Sequence, residues 1–168
     1  MEMKDTRQEE TVMNTDKTLN DILVKLFNDL MEIEDKCLIT GEFRNISNND
    51  MHVIEAIGTE ELRSMSEVAR RLNITTGTLT KSVDALVRKK YVERIRSEED
   101  KRVVRLSLTE SGVRAYEHHA RFHQNMIEDI KQQLNDGETR ILIATLGKLV
   151  SYFQEKYREY LESGSHQA

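Results

Sequence analysis

The sequence contains no proline and no tryptophan, and only 7 of its 168 residues are glycine. Proline and glycine are the residues that most often interrupt helices, so their scarcity favours long helices and excludes a flexible linker built from them. Hydrophobic residues make up 38% of the chain, aromatic residues only 5%, and charged residues 33%. This composition is typical of a mainly helical protein whose amphipathic helices carry solvated charged faces.

A single cysteine, Cys37, excludes a disulfide within the chain and is compatible with a reducing compartment. No apolar run approaches the roughly 20 residues that a membrane-spanning helix needs. Residues 1–17 are polar and acidic, which is not typical of a signal peptide. We therefore expect a cytoplasmic protein.

The motifs of several common enzyme classes are missing as well. The chain has no GxxxxGK[ST] phosphate loop, no GxGxxG, no HExxH and no pair of CxxC motifs. Scattered Ser, His and Asp residues do not indicate an active site unless a common geometry joins them. We expect a protein that is not an enzyme and requires no cofactor. A helical interaction module remains an alternative, but it leaves the basic stretch described next without a purpose.

Positive charge is concentrated in one stretch of an otherwise acidic chain. Between Arg63 and Arg105, twelve Lys and Arg residues accompany six Asp and Glu residues, which gives this stretch a net charge of +6. The rest of the chain carries −11, and the whole chain carries −5. Local positive charge suits a surface that binds phosphates, while acidic flanks reduce binding to other polyanions.

Long helices are predicted on both sides of the basic stretch, with a short tail at each end of the chain. Residues 1–17 lack an apolar period and are predicted to form a flexible tail, and 164–168 a second one. Apolar residues that recur every three or four positions predict amphipathic helices over 18–40, 110–134 and 136–163, the first of them ended by Gly41. A chain this short has little core to cover their apolar faces, so we expect them to pair with a second copy in a homodimer.

Residues 47–108 are predicted to form a winged helix-turn-helix lobe of three helices and a hairpin. The second helix stops at Gly58, and the fourth carries the stripe Leu79, Val83, Leu86 and Val87. Residues 91–96 and 103–108 change to an alternating pattern and are predicted to form the two strands of the hairpin. The predicted helix N-caps are Ser47 paired with Asp50, then Ser66, then Thr75 or Thr76. Thr109 is predicted to cap the fifth helix, and Asn135 with Glu138 to start the sixth.

Short hydroxyl side chains and a glycine at the start of the fourth helix point to reading of base edges in a DNA major groove. Basic residues on the hairpin and near the third helix suit phosphates and a narrow minor groove, and Asp100 is placed to hold Arg102. The predicted DNA-binding residues are Ser64, Ser66, Arg71, Thr75, Thr76, Gly77, Thr78, Thr80, Lys81, Ser82, Arg94, Arg96, Asp100, Lys101 and Arg102.

The stretch SEVARRLNITTGTLTKSVDALVRKKYVERIRSEEDKRVVRLSLTESG resembles the MarR family of winged helix-turn-helix regulators. The specific features are D-x-R at Asp100–Arg102 and the V-x-L-x-LT-x-x-G run that follows it. The resemblance implies a mainly α fold with a small β wing, in one domain over 18–163. It also implies a homodimer with a helical dimerisation region and the fourth helix in the major groove. Lys90 departs from the pattern, because many relatives carry glycine there.

Three further stretches, DMHVIEAIG, ERIRSEEDKRVV and HARFHQNM, resemble the FabT-type branch of this family, which represses fatty-acid synthesis genes. That resemblance implies a repressor that binds a palindromic operator. Its implied effector is acylated acyl carrier protein, a partner that strengthens operator binding.

Two alternative effectors stay open at this point. His119 and His123 are four residues apart on a predicted helix, a spacing suited to metal chelation, and His52 lies on a helix that could pack near them. The layout is similar to zinc-sensing members of the MarR family. Cys37 allows a redox-responsive alternative, which requires a stabilised thiolate, although a lone cysteine in an apolar stripe is more often a core residue.

Overall fold

The computed structural model describes the backbone of residues 5–96 and 104–164, and the side chains of residues 14–96 and 104–160. The chain divides into two compact units, Met1–Phe122 and His123–Ala168, referred to below as the first and second unit. The boundary falls inside a continuous helix, so no loop in the sequence marks it. The domain limits drawn from the sequence stay a prediction.

The first helix, α1 (Asp5–Leu38), is longer than the sequence predicted. The segment expected to be a tail through residue 17 is helical from Asp5 onward. It has no apolar period, but it also contains no proline or glycine, and its Glu, Gln, Arg and Lys residues favour helix. The helix ends at Leu38, ahead of the predicted stop at Gly41, which has φ +56° and begins a short 3₁₀ turn.

The second helix, α2 (Asn48–Ile57), confirms the predicted capping box. The Ser47 hydroxyl accepts from the Asp50 N–H, and the Asp50 carboxylate accepts from the Ser47 N–H. The helix stops at Gly58 with φ +69°, whose N–H donates to the carbonyl of Ile54.

The helix-turn-helix consists of α3 (Met65–Arg71) and α4 (Thr76–Arg88). The prediction of Ser66 as the N-cap of α3 is wrong, because Ser64 fills that position. Glu67 lies three residues after Ser64 and completes a reciprocal capping box with it, whereas the residue three after Ser66 is an alanine. The N-cap of α4 is Thr75, one of the two residues predicted for that position.

A three-stranded antiparallel sheet follows, in the order β1 (Arg63–Ser64), β3 (Val104–Leu108), β2 (Val92–Arg96). The predicted hairpin is confirmed in β2 and β3, whose register pairs Arg94 with Leu106. Residues 97–103 at its tip lie outside the described part of the chain.

Two long helices complete the chain, α5 (Glu110–Gln133) and α6 (Asp136–Gly164). The Thr109 hydroxyl accepts from the Gly112 N–H, which confirms Thr109 as the cap of α5. Asn135 and Glu138 each bind the other's N–H through their side chains, as the sequence predicted for the start of α6.

The core of the first unit lies between α2, α3, α4 and the sheet. The predicted stripe of α4 is buried at Leu79, Val83 and Leu86, while Val87 is partly buried. None of the helices in the described residues is long and apolar enough to cross a membrane. Cys37 is exposed rather than part of the core.

Candidate nucleic-acid interface

A tight turn between α3 and α4 sets where α4 begins. Asn73 adopts the left-handed conformation with φ +55°, which asparagine tolerates better than most residues. The Ile74 N–H then donates to the Ala69 carbonyl at 3.0 Å. The turn separates the two helices by four residues, and the first turn of α4 is exposed from Thr75 to Thr78.

The first turn of α4 presents hydroxyls and a glycine to solvent. The Thr75 Oγ1 accepts from the Thr78 N–H at 3.1 Å and lies 2.9 Å from the Thr78 Oγ1. Thr76 and Gly77 are exposed beside them. An accessible, uncharged helix start of this kind can approach the edges of bases, since its side chains are short.

Three predicted DNA-binding residues, Thr80, Lys81 and Ser82, lie in the next turn of α4 and differ in how available their side chains are. The Thr80 hydroxyl donates to the Thr76 carbonyl at 2.8 Å, so its proton is used within the helix. Ser82 is half-buried, whereas Lys81 is exposed. Lys81 is therefore the member of this turn best placed to reach a base or a phosphate.

The predicted contacts on α3 are arranged around its N-cap. The Ser64 Oγ donates to the Glu67 carboxylate at 2.7 Å and lies 3.1 Å from the Ser66 Oγ. Hydrogen bonds from Ser64 to the carboxylate lower the pKa of Glu67, and the positive charges of Arg105 and Arg70 lower it further. Ser64 is committed to capping, and Ser66 and Arg71 are exposed.

The structure adds two arginines that the sequence analysis missed. Arg70 and Arg105 line a groove of about 380 Å³ together with Arg71 and Glu67. The Arg105 guanidinium donates to the Leu62 carbonyl at 3.1 Å. Alternation along β3 gave a signal for Arg105, because it separates the half-buried Val104 from the buried Leu106, but its nearness to α3 depends on the fold.

The hairpin supplies the other predicted basic residues. Arg94 and Arg96 lie on β2, and the Arg94 guanidinium donates to the Asp84 carboxylate of α4 at 2.7 Å. Asp100, Lys101 and Arg102 lie outside the described residues, so their roles and the expected Asp100–Arg102 pair stay predictions.

A cluster of two histidines and two glutamates lies elsewhere in the first unit. His119 of α5 has a side chain that is 1% exposed, with Nε2 3.4 Å from Glu34 and Nδ1 3.6 Å from Glu55. His52 of α2 lies 3.7 Å from each of the same carboxylates. The fold thus brings His52 and His119 to the same two carboxylates. His123 follows one turn later on α5, in the second unit.

The first turn of α2 connects this cluster to the far end of α4. Asn48 donates to the Glu34 carboxylate at 3.0 Å, on the side of the histidines. Asp50 accepts from the Lys89 ammonium at 2.9 Å, directly after the last residue of α4. The Asp50–Lys89 ion pair thus joins the first turn of α2 to the end of α4, beside the packing that the two helices share in the core.

Residues 44–103 match the MarR family. The chain is similar to FabT of Streptococcus pneumoniae, solved in complex with DNA, with 36% identity and a TM-score of 0.79. This match covers 83% of the present chain and 97% of that chain.

Two proteins of Bacillus subtilis extend the similarity along the sequence. The chain is 28% identical to the HTH-type transcriptional regulator YpoP over 138 residues, covering 82% of this chain and 89% of that protein. It is 28% identical to the HTH-type transcriptional repressor YetL over 152 residues, covering 86% and 87% respectively.

Proposed function

Since the chain belongs to the MarR family of DNA-binding transcriptional regulators, we propose that it is a homodimeric repressor of a palindromic operator. The observation that carries this proposal is the similarity to FabT, a protein solved on DNA, over 97% of that chain. The exposed first turn of α4 and the strand β2 support it, because short hydroxyl side chains suit base edges, arginines suit phosphates, and both elements lie in one unit.

Exposed apolar side chains on the long helices support the homodimer. On α1, Leu19, Ile22, Leu26, Phe27 and Ile33 are each more than half exposed. On α6, the same holds for Ile141, Ile143, Val150, Phe153 and Tyr160. Exposed apolar side chains in such number on a helix mark a protein interface, and a second copy would cover them in a closed pair.

The oligomeric state is tested by light scattering on the purified protein. We expect a mass of twice the chain's 19.6 kDa. Phe27→Asp should shift the mass toward that of one chain, while the matched change Asn20→Asp on the same helix should leave it unchanged. A wild-type mass of one chain at micromolar concentration contradicts the homodimer.

We further propose that the regulated genes are those of fatty-acid synthesis and that acylated acyl carrier protein is the effector. The support is the similarity to FabT, together with the three FabT-like stretches of the sequence. Such an effector binds the DNA-bound state preferentially, because an equilibrium shifts only by the difference in affinity for its two states.

The effector is identified by titration against a fixed operator. The operator is selected by the wild-type protein from a random duplex library, and its affinity is measured with long-chain acylated carrier protein, unacylated carrier protein and zinc. Tighter binding with the acylated form alone supports the proposal. A response to zinc alone rejects it.

The DNA contacts are tested by substitution in α4. Thr78→Ala and Lys81→Ala should reduce the discrimination between the selected operator and its base-pair variants, with a cost on the order of 1–3 kcal/mol at the contacted position. Lys131→Ala, an exposed lysine of α5, is the matched control. A uniform loss over all duplexes would instead assign these residues to phosphates.

A second candidate function is a zinc response, favoured by the cluster in the first unit. One ligand atom each from His52, Glu55 and His119 lies within 4.8 Å of the others, and Glu34 adjoins the two histidines. Imidazole and carboxylate are suitable zinc ligands, and such a site would act on α4 through α2. His119→Ala should then abolish any zinc effect on operator affinity. His118→Gln, the adjacent histidine, should preserve that effect.

A further inference from the structure

One acidic side chain lies on the helix that presents the DNA-reading surface. Asp84 is the only acidic residue of α4, and the predicted contacts of that helix precede it along the same helix. Its carboxylate accepts from the Arg94 guanidinium of β2 at 2.7 Å. The side chains are 42% and 35% exposed respectively, so both remain accessible to solvent and to a polyanion.

A carboxylate near a phosphate-binding surface repels DNA in proportion to its net charge. Here the charge is compensated, since Asp84 and Arg94 together are neutral. The pair also removes one positive charge from the surface that β2 offers to any duplex. Arg96, two residues further along the same strand, keeps its charge exposed.

The pair also joins two elements that approach DNA differently. Asp84 is in the middle of α4, and Arg94 is the central residue of β2, opposite Leu106 in the register of the sheet. A guanidinium forms directed hydrogen bonds with a carboxylate, so the pair restricts where the Arg94 head group points. Half-exposed ion pairs are individually weak, and a phosphate can compete for this one.

We propose that Asp84 is a specificity-determining residue that acts by positioning Arg94. The Asp84 carboxylate holds the Arg94 guanidinium against α4, so this guanidinium is less available to the phosphates of a DNA duplex of any sequence. The affinity for DNA then depends more on the base contacts of α4. This inference rests on the proposed function, because it requires that α4 and β2 face an operator.

Asp84→Asn tests the inference in the full-length protein, with the selected operator and a scrambled duplex of the same length. The variant frees Arg94 for one additional phosphate. Each neutralised phosphate contributes about 0.9 to the slope of log affinity against log salt. The non-specific slope should steepen by about 0.9, which makes affinity fall roughly 3.5-fold more between 50 and 200 mM salt. The ratio of operator to scrambled affinity should drop by about threefold or more at 50 mM.

Glu93→Gln is the matched control, because it removes one carboxylate from the adjacent position of β2. Neighbouring residues of a strand point to opposite faces, and Glu93 pairs with Ser107 rather than Leu106. Both variants change net charge by the same amount. Only Asp84→Asn should lower the ratio of operator affinity to scrambled-duplex affinity. Asp84→Glu keeps the carboxylate and should retain most of the wild-type ratio.

The double substitution separates positioning from charge alone. With Arg94→Ala in place, Asp84→Asn should change the non-specific slope no more than Glu93→Gln does. If Asp84→Asn keeps its full effect without Arg94, or if it leaves the specificity ratio unchanged, the inference is wrong. If the wild-type protein selects no sequence from the library, the proposed function fails first and this inference with it. Circular dichroism confirms that each variant is folded.

Discussion

Gly112 lies directly against the carbonyl oxygen of Tyr91, so that a β carbon added to Gly112 would collide with that oxygen. The same oxygen accepts the Thr109 N–H at 3.0 Å, and the Thr109 hydroxyl donates to the Lys90 carbonyl at 2.6 Å. The start of α5 is therefore fixed to the segment between α4 and β2. A carbonyl is part of the backbone and cannot move aside as a flexible side chain can.

Gly112→Ala should destabilise the protein, because either α5 or the segment at Tyr91 has to shift. Overpacking of this kind costs about 1–3 kcal/mol. Urea unfolding followed by circular dichroism measures the change. Gly147→Ala is the control, since a β carbon there meets nothing within 4 Å and should stabilise α6 by up to about 1 kcal/mol. Equal effects of the two substitutions would mean that the contact with Tyr91 has no energetic weight.

Lys90→Gly should stabilise the protein. Lys90 has φ +63°, which is the left-handed conformation that favours glycine, and it stands at the position where many relatives carry glycine. A side chain in that conformation costs about 1 kcal/mol relative to glycine. The melting temperature of Lys90→Gly should rise, while that of Lys90→Ala should stay close to wild type, because alanine keeps the β carbon. A rise with both would attribute the effect to the lost charge.

Gly77→Ala should separate stability from DNA affinity. Gly77 is in the first turn of α4 with φ outside the left-handed region, and its nearest neighbour for an added β carbon is the Thr75 Oγ1 at 3.8 Å. Alanine should therefore raise stability by about 0.5–1 kcal/mol. If the backbone at Gly77 approaches DNA closely, operator affinity should fall despite this gain. Unfolding and operator titration on the same sample provide the two values.

Glu67→Gln should lower the free energy of unfolding near neutral pH. In acid the difference between this variant and the wild type should become much smaller. Hydrogen bonds from Ser64 hold the pKa of Glu67 below the ordinary value of a glutamate. A carboxyl with a lowered folded pKa contributes stability that is present above the unfolded pKa and is lost as pH falls through the folded pKa. The difference from wild type, measured by urea unfolding, should be constant from pH 7 to pH 5.5 and shrink below pH 4.5. Glu60→Gln, at an exposed site before β1, removes one carboxylate outside the capping box and is the charge-matched control.

Much of the local structure was predictable because its causes are close together in the chain. The box at Ser47 and Asp50, the cap at Thr75 and the box at Asn135 and Glu138 each join residues three apart or fewer. The one misplaced cap, Ser66 in place of Ser64, came from overlooking the Glu67 partner. The start of α1 at Asp5 was missed because periodicity reports a buried face, and a helix can form without one.

The sequence by itself determined the DNA-binding lobe: the order of its helices and strands, its family, and the concentration of basic and hydroxyl residues between Arg63 and Arg105. Only the tertiary structure decided which distant groups meet. It placed Asp84 on Arg94, Asp50 on Lys89, and His119 between Glu34 and Glu55, over separations of 10, 39, 85 and 64 residues. Periodicity specifies the face of a helix that is buried, but not which other element covers it, and these pairs depend on that packing.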